Sequence, residues 1–66
     1  MAELPLAPLE RLMRKPDESI RVSEEAKIVL REILEEIAVS ISERAIKLAK
    51  HRGGKTITAD DIKLAK

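Results

Sequence analysis

Hydrophobic residues recur at intervals of three and four through the centre of the chain, from Ser23 to Lys50. This spacing predicts an amphipathic helix, because such positions fall on one helical face. Neither proline nor glycine interrupts these 28 residues, which would form a helix about 42 Å long. Ser23 is the expected N-cap, and Gly53 or Gly54 is the expected C-terminal stop. The apolar face consists of Ala26, Val29, Leu30, Ile33, Leu34, Ile37, Ala38, Ile41, Ala45, Leu48 and Ala49.

A short helix is predicted before the long one, over about residues 4–14. Pro5 or Pro8 can occupy an early helical position, where a missing N–H does no harm. Pro16 is expected to end the helix. The apolar residues at helical spacing in this segment are Leu6, Leu9, Leu12 and Met13.

A second short helix is predicted after the long one, over about residues 58–66. Thr58 is the expected N-cap, and Asp61 at the third helical position would complete a shortened capping box. The stretches 20–22 and 55–57 contain β-branched residues and are expected to pair as a minimal two-strand bridge, one strand from each subunit of a dimer. The sequence therefore predicts an all-α fold with helices in the order short, long, short.

The apolar face of the long helix is too wide for two short helices to cover, since it spans about half of the circumference or more. The simplest solution is two chains whose long helices cross near Ile37, each covered by the short helices of both subunits. A four-helix bundle or a coiled coil is the alternative, but a coiled-coil seam is narrower and repeats every 3.5 residues. The expected dimer core consists of Leu30, Ile33, Leu34, Ile37 and Ile41.

Composition also favours a partner subunit. A single domain of 66 residues, over 1–66, buries too little surface unless a disulfide, a metal or another subunit helps. Cysteine is absent and His51 is the only histidine, so neither a disulfide nor a structural zinc site is expected. Glu3 and the early prolines argue against a signal peptide, and no apolar run is long enough to span a membrane. A soluble intracellular protein is expected.

The net charge is only +1, which does not by itself indicate a nucleic-acid binder. The surplus, 4 basic over 2 acidic residues, lies in the segment 51–66.

The motifs of the chain argue against an enzyme. The acidic pairs 35–36 and 60–61 are adjacent in sequence, so their members point in different directions along a helix. Gly53-Gly54-Lys55-Thr56 resembles a phosphate-binding loop, but it follows a helix and lacks the full spacing. No catalytic residue, cofactor or metal is expected.

Several short segments occur in a specific order along the chain. They are Glu-Leu-Pro-Leu-Ala-Pro-Leu at 3–9, Arg11, Arg21-Val22-Ser23, Leu34-Glu35-Glu36, Ala45-Ile46-Lys47-Leu48-Ala49, His51, Lys55-Thr56 and Asp61-Ile62-Lys63-Leu64-Ala65. Together they resemble an archaeal histone over the whole chain. The resemblance implies a histone fold, an intertwined handshake homodimer, and bending and wrapping of double-stranded DNA with little dependence on sequence. It also implies a chromosome-associated protein of the cytoplasm that compacts the genome.

The resemblance also implies which residues contact DNA. Arg11 and Arg14 would face the backbone, and Arg21 would reach into the minor groove, where arginine is favoured. Lysine and a helix N-terminus both suit phosphate. The alternative is that these are ordinary solvated cations at the ends of loops. The full expected DNA-binding set is Arg11, Arg14, Lys15, Arg21, Ser23, Arg52, Lys55 and Thr56.

A second implied contact joins neighbouring dimers into tetramers or longer multimers on DNA. It would consist of Leu48, His51, Asp61 and Leu64, with His51 facing Asp61. The alternative is that the two leucines belong to the core, that His51 caps its helix end and that Asp61 caps its own helix. The relevant departure from the family is Gly54, which stands where many archaeal histones have an arginine that pairs with the aspartate matching Asp61. That clamp is therefore either missing or rebuilt from Arg52.

Two further features leave alternatives open. The first loop is larger than usual for the family and partly acidic, which puts close stacking of successive DNA turns in doubt. Ile28, Val39 and Ile46 lie opposite the main apolar face of the long helix, and the net charge is near neutral. These features favour the rival hypothesis of a histone-fold dimerisation module that recognises protein partners with little DNA wrapping. A second histone is an alternative mate to a second copy of this chain.

Overall fold

The computed structural model describes residues 3–66 and contains three helices: α1 (Leu6–Met13), α2 (Glu24–His51) and α3 (Ala59–Ala65). The predicted all-α fold with helices in the order short, long, short is confirmed. Each helix begins and ends close to its predicted positions. No strand occurs among residues 3–66, and the bridge expected between 20–22 and 55–57 would join two subunits, so it stays a prediction.

The chain divides into two compact units at the middle of α2, one ending at Glu35 and the other beginning at Glu36. The first unit contains α1, the first loop and the first half of α2. The second contains the rest of α2, the second loop and α3. Within the described part of the chain, no helix is both long and apolar enough to cross a membrane.

In the first unit, Pro8 is the proline that occupies an early position of α1, which was one of the two predicted alternatives. Pro5 is the N-cap in extended conformation, and Pro8 lies in the first turn, where its missing N–H removes no intrahelical bond. The N–H of Arg14 donates to the carbonyl oxygen of Glu10 at 3.0 Å and closes the helix. Leu9 is the buried residue of α1. Helix α1 is therefore delimited by local chemistry readable in the sequence.

The segment before α1 is tied to α2 by Glu35. Its Oε2 accepts the backbone N–H groups of Glu3 at 2.5 Å and of Leu4 at 2.9 Å. The N–H of Leu4, followed by that of Glu3, lowers the pKa of the Glu35 carboxyl group. The carboxylate form is thereby favoured, and it fixes the chain that leads into α1.

Both ends of α2 are capped as the sequence predicts. The Ser23 hydroxyl oxygen accepts the N–H of Ala26 at 3.0 Å, which confirms Ser23 as N-cap. At the other end Gly53 adopts a φ of 82° and is the left-handed residue. The N–H of Gly53 donates to the Lys50 carbonyl and that of Gly54 to the Ala49 carbonyl, both at 2.9 Å. This pair of bonds is a Schellman motif, which satisfies carbonyls that the helix end leaves free.

Helix α3 is held at both ends in the second unit. The side chain of Thr58 accepts the N–H of Asp61, and the Asp61 side chain accepts the N–H of Thr58, so the predicted capping box is confirmed. At the other end, Nε of Arg44 donates to the carbonyl oxygen of Ala65 at 2.7 Å. Seven residues are too few for a stable isolated helix, so the stability of α3 depends on these contacts at its two ends.

The described chain buries few apolar side chains. Among residues 3–66, the buried apolar residues are Leu9, Ala45, Ala49 and Ala65. Of the five residues expected in the dimer core, Ile33 is 46% exposed and Ile37 is 48% exposed, while Leu30, Leu34 and Ile41 are half-buried. Each unit therefore leaves an apolar part of α2 open to solvent, which is what a chain that needs a partner would do.

Candidate nucleic-acid interface

The first loop, residues 14–23, is a folded turn within the first unit. Oδ1 of Asp17 accepts the Ser19 N–H at 3.0 Å and the Ser19 hydroxyl at 2.7 Å. The N–H of Ile20 donates to the carbonyl oxygen of Asp17 at 3.2 Å. The hydrogen bond from the Ser19 hydroxyl, followed by that from its N–H, lowers the pKa of Asp17. Asp17 therefore gives this loop local order.

Arg14 is directed at its own loop. Its Nη2 donates to the carbonyl oxygen of Glu18 at 2.7 Å, and its Nη1 lies 3.8 Å from Oε2 of Glu10. Glu10 is in turn bound by Lys27, whose Nζ lies 2.8 Å from Oε1 of Glu10. The hydrogen bond and charge of Lys27 are the main causes that lower the pKa of Glu10. The Arg14 guanidinium therefore makes contacts within the chain while its side chain stays 45% exposed, and its expected place facing the DNA backbone stays a prediction.

The other cations of the first unit's expected contact set are differently placed. Arg11 on α1, Lys15 in the turn after it and Arg21 before α2 are all exposed. Within residues 3–66, none of the three forms an ion pair. Ser23 lies at the start of α2, where the free N–H groups of the first turn can meet an anion while its hydroxyl caps the helix. These residues are free to contact phosphate.

The second loop, residues 52–58, contains the rebuilt clamp. Nη2 of Arg52 lies 2.6 Å from Oδ2 of Asp61 and also donates to the carbonyl oxygen of Thr56 at 3.3 Å. The same Oδ2 accepts the Thr58 N–H at 2.9 Å, and only 5% of the Asp61 side chain is exposed. The Thr58 N–H is the largest cause of the lowered pKa of Asp61, ahead of Arg52, while burial acts in the opposite direction. Of the two alternatives for the clamp, reconstruction from Arg52 is confirmed.

Lys55 and Thr56 lie exposed at the tip of this braced loop. Lys55 forms no ion pair among the described residues 3–66. Together with Lys50, it lines an open hollow whose other walls are Ile46, Ala49, Gly53, Gly54 and Ile57. Lys50 is outside the DNA-binding set expected from the sequence. Its proximity to Lys55 adds a second cation on this side of the loop.

The expected contact between dimers has mixed support. Asp61 caps its own helix and binds Arg52, so this part of the alternative interpretation is confirmed. Leu64 is 75% exposed in the single chain, so no residue within the described part of the chain covers it, and its place in the core of a dimer stays a prediction. Leu48 is half-buried, and His51 is the exposed last residue of α2. The contact between dimers itself stays a prediction.

Sequence reasoning missed the ionic network that joins Glu10, Lys27 and Glu24. Lys27 Nζ lies 2.6 Å from Oε1 of Glu24, and the Lys27 side chain is only 12% exposed. The spacing of Glu24 and Lys27 on one helix is a detectable signal. The spacing of Glu10 and Lys27 is not, because these residues lie on different helices 17 positions apart.

Comparison with known proteins agrees with this architecture. Residues 2–65 match the family described as histone-like transcription factor (CBF/NF-Y) and archaeal histone. The chain is 49% identical over 65 residues to one of the subunits of archaeal histone HAN1 from Thermococcus zilligii, covering 98% of this chain and 96% of that protein. It is 46% identical over 65 residues, with the same coverage, to probable archaeal histone 3 of Methanocaldococcus jannaschii. The resemblance seen in the sequence is confirmed, and the chain belongs to the family of histone-like transcription factors and archaeal histones.

Proposed function

We propose that this protein binds double-stranded DNA with little dependence on sequence and compacts the chromosome as a dimer. Its family includes the archaeal histones, and both of the relatives described above carry that name. The observation that carries the proposal is how the two loops, residues 14–23 and 52–58, are held and which cations they expose. Each is braced by hydrogen bonds within the chain, and each exposes cations without an ion partner among residues 3–66.

The proposed DNA contacts are divided by chemistry. Arg21 suits a narrowed minor groove, because its charge is permanent and its planar fork donates in several directions. Lys15 and Lys55 suit phosphates, and Arg11 faces the backbone from α1. The Thr56 hydroxyl and the N-terminus of α2 at Ser23 add neutral donors. Such contacts hold the backbone without reading base sequence, as wrapping requires.

The exposed apolar face of α2 supports the dimer. A monomer would leave Ile33 and Ile37 about half exposed, which is unfavourable at roughly 25 cal/mol per Å² of apolar surface. A second copy that crosses α2 near Ile37 would cover both. We therefore retain Leu30, Ile33, Leu34, Ile37 and Ile41 as the proposed dimer core.

The proposal also includes the assembly of dimers into larger multimers on DNA. Leu64 has 75% of its surface exposed at the end of α3, and Leu48 and His51 lie near the end of α2. These residues are available for a contact between dimers. Asp61 is already engaged by Arg52, so we propose that its part in such a contact is to hold the clamp.

The test is nuclease protection of long random-sequence duplex DNA, with protein added in steps. Regular protected fragments are expected, with binding that weakens steeply as salt increases. The double variant Arg21→Ala with Lys55→Ala should stay folded and lose most of its affinity. The control, Lys47→Ala with Lys63→Ala, removes the same charge outside the loops and should bind nearly as the parent does. Equal losses in both pairs would contradict the assignment of the loops.

The alternative function is a dimerisation module that recognises a protein partner. The exposed side chains of Val39 and Ile46, outside the proposed dimer core, favour it. A module of this kind would show little DNA binding and little response to salt, so the protection experiment separates the two functions.

A further inference from the structure

We propose that Arg14 is a positioning residue that holds the first loop in the shape presenting Lys15 and Arg21, and that it does not itself contact phosphate. The inference rests on the proposed DNA binding. It changes the role that the sequence had indicated for Arg14, which was to face the DNA backbone from the end of α1.

The guanidinium of Arg14 spans the loop that follows it. Its Nη2 donates to the Glu18 carbonyl oxygen at 2.7 Å, within the range of a strong hydrogen bond. Arg14 is also the C-cap of α1, where its own N–H donates to the carbonyl of Glu10 at 3.0 Å. One residue therefore ties the end of the helix to the far side of the turn.

The carboxylate behind Arg14 is fixed from α2. Glu10 lies 3.8 Å from Nη1 of Arg14 and 2.8 Å from Nζ of Lys27. Lys27 is also paired with Glu24 at 2.6 Å and is mostly buried. A continuous series of contacts thus runs from the first turn of α2 through Lys27, Glu10 and Arg14 to the loop.

The surroundings of Arg14 do not favour a second anion. The nearby carboxylate of Glu10 partly neutralises the charge of Arg14. A phosphate would also have to compete with the Glu18 carbonyl oxygen for the N–H groups of the guanidinium. Lys15 and Arg21 have no ion partner among residues 3–66. Since Asp17 and Ser19 fold the tip of the turn, the Arg14 bond to Glu18 is what joins that tip to α1.

Citrulline separates the two roles of Arg14, because it keeps the shape and the Nη donor but has no charge. The chain is short enough for chemical synthesis, and Arg14→citrulline can be compared with Arg14→Met, which loses both the charge and the donor. DNA affinity is measured over a salt series. A lost phosphate contact flattens the plot of log affinity against log salt by about 0.9, and Lys55→Gln is the control expected to show this.

We expect Arg14→citrulline to bind within about twofold of the parent with an unchanged salt slope. Arg14→Met should bind about fivefold more weakly, also with an unchanged slope, since a partly exposed hydrogen bond has an effect of this size. A citrulline variant whose affinity falls and whose slope flattens by about 0.9 would make Arg14 a phosphate contact and overturn the proposal.

Amide hydrogen exchange tests the positioning role without DNA. The amides of Ser19 and Ile20 are hydrogen-bonded within the turn, so they should exchange about severalfold faster in Arg14→Met and at the parent rate in Arg14→citrulline. Unchanged exchange in Arg14→Met would contradict the proposal even if every variant bound DNA. A parent protein that fails to bind DNA would instead refute the proposed function, while the exchange rates would still decide whether Arg14 orders the loop.

Discussion

Arg52 and Asp61 form a 2.6 Å ion pair that closes the second loop, and the aspartate in this pair also caps α3. One carboxylate therefore fixes the loop and the helix that follows it. We expect Arg52→Ala to lower the melting temperature by roughly 5 °C, a shift typical of a moderate loss of stability in a domain of this size. Thermal unfolding followed by circular dichroism would measure the change.

A rescue variant gives the control for this prediction. A Cβ added at Gly54 would lie 3.2 Å from Nη1 of Arg52, close to the position of the clamp. Gly54→Arg in the Arg52→Ala background should therefore restore part of the melting temperature. The absence of any recovery would mean that the ion pair is specific to an arginine at position 52.

The pH dependence of stability follows from Asp61. Its folded pKa lies below the ordinary value of 3.8, chiefly because the Thr58 N–H donates to the carboxylate. The folded state binds this proton less readily than the unfolded state does. The stabilisation is therefore fully present above the unfolded pKa and is lost as the pH falls through the lowered folded pKa. Urea unfolding at about pH 7 and about pH 3 should show the loss.

Asp61→Asn is the matched variant for the pH experiment. It should be less stable than the parent near neutral pH and should lose less stability on acidification, because its side chain does not titrate. Parallel pH profiles for the parent and the variant would show that other carboxylates, such as Glu10 or Glu35, cause the acid sensitivity. The pKa values of those two groups are also lowered in the folded chain.

The two adjacent glycines should respond differently to alanine. Gly53 has a φ of 82°, a backbone conformation that is strained for any residue with a Cβ, although an added Cβ would meet no other atom within 4 Å. Gly53→Ala should therefore destabilise the protein by roughly 1–2 kcal/mol, the difference for a residue in left-handed conformation. Gly54→Ala meets only the flexible end of Arg52 and the Ala49 carbonyl, and it should change stability by less than about 0.5 kcal/mol. Chemical denaturation of both variants would show whether the order is reversed.

The proposed dimer can be tested with a matched pair of charged substitutions. Ile37→Asp places a carboxylate in the apolar interface and should abolish the dimer in sedimentation experiments, since an unpaired buried charge is costly. Val39→Asp adds the same charge at an exposed position outside the proposed core and should leave the dimer intact. Dimerisation of the Ile37→Asp variant would place the interface elsewhere.

Local signals made much of this fold predictable. Ser23, Gly53 and Thr58 act on backbone groups within a few residues of themselves, so sequence spacing alone defines their roles. Hydrophobic periodicity supplied the helices between these caps. The fold class is predictable because the caps and the hydrophobic periodicity indicate the same three helices.

The roles of individual long side chains were less predictable. Arg14 was assigned to DNA, and Arg52 both to DNA and to a rebuilt clamp, and the structure directs both side chains into their own loops. An arginine can reach several partners, and tertiary placement decides between them. Lys27 and Glu10 meet across two helices, so no spacing rule could have paired them. The sequence thus indicated which loops carry cations but not which of these cations are already committed.

The half-exposed Ile33 and Ile37 have a final consequence for how this protein behaves in a cell. In the proposed dimer the core is completed only when two chains meet, so folding is a second-order reaction and the apparent stability rises with protein concentration. Dilution would therefore shift the protein toward the unfolded state, as a denaturant does. Chains without a partner would be the first to be degraded. The abundance of the protein would then control how much of it is folded.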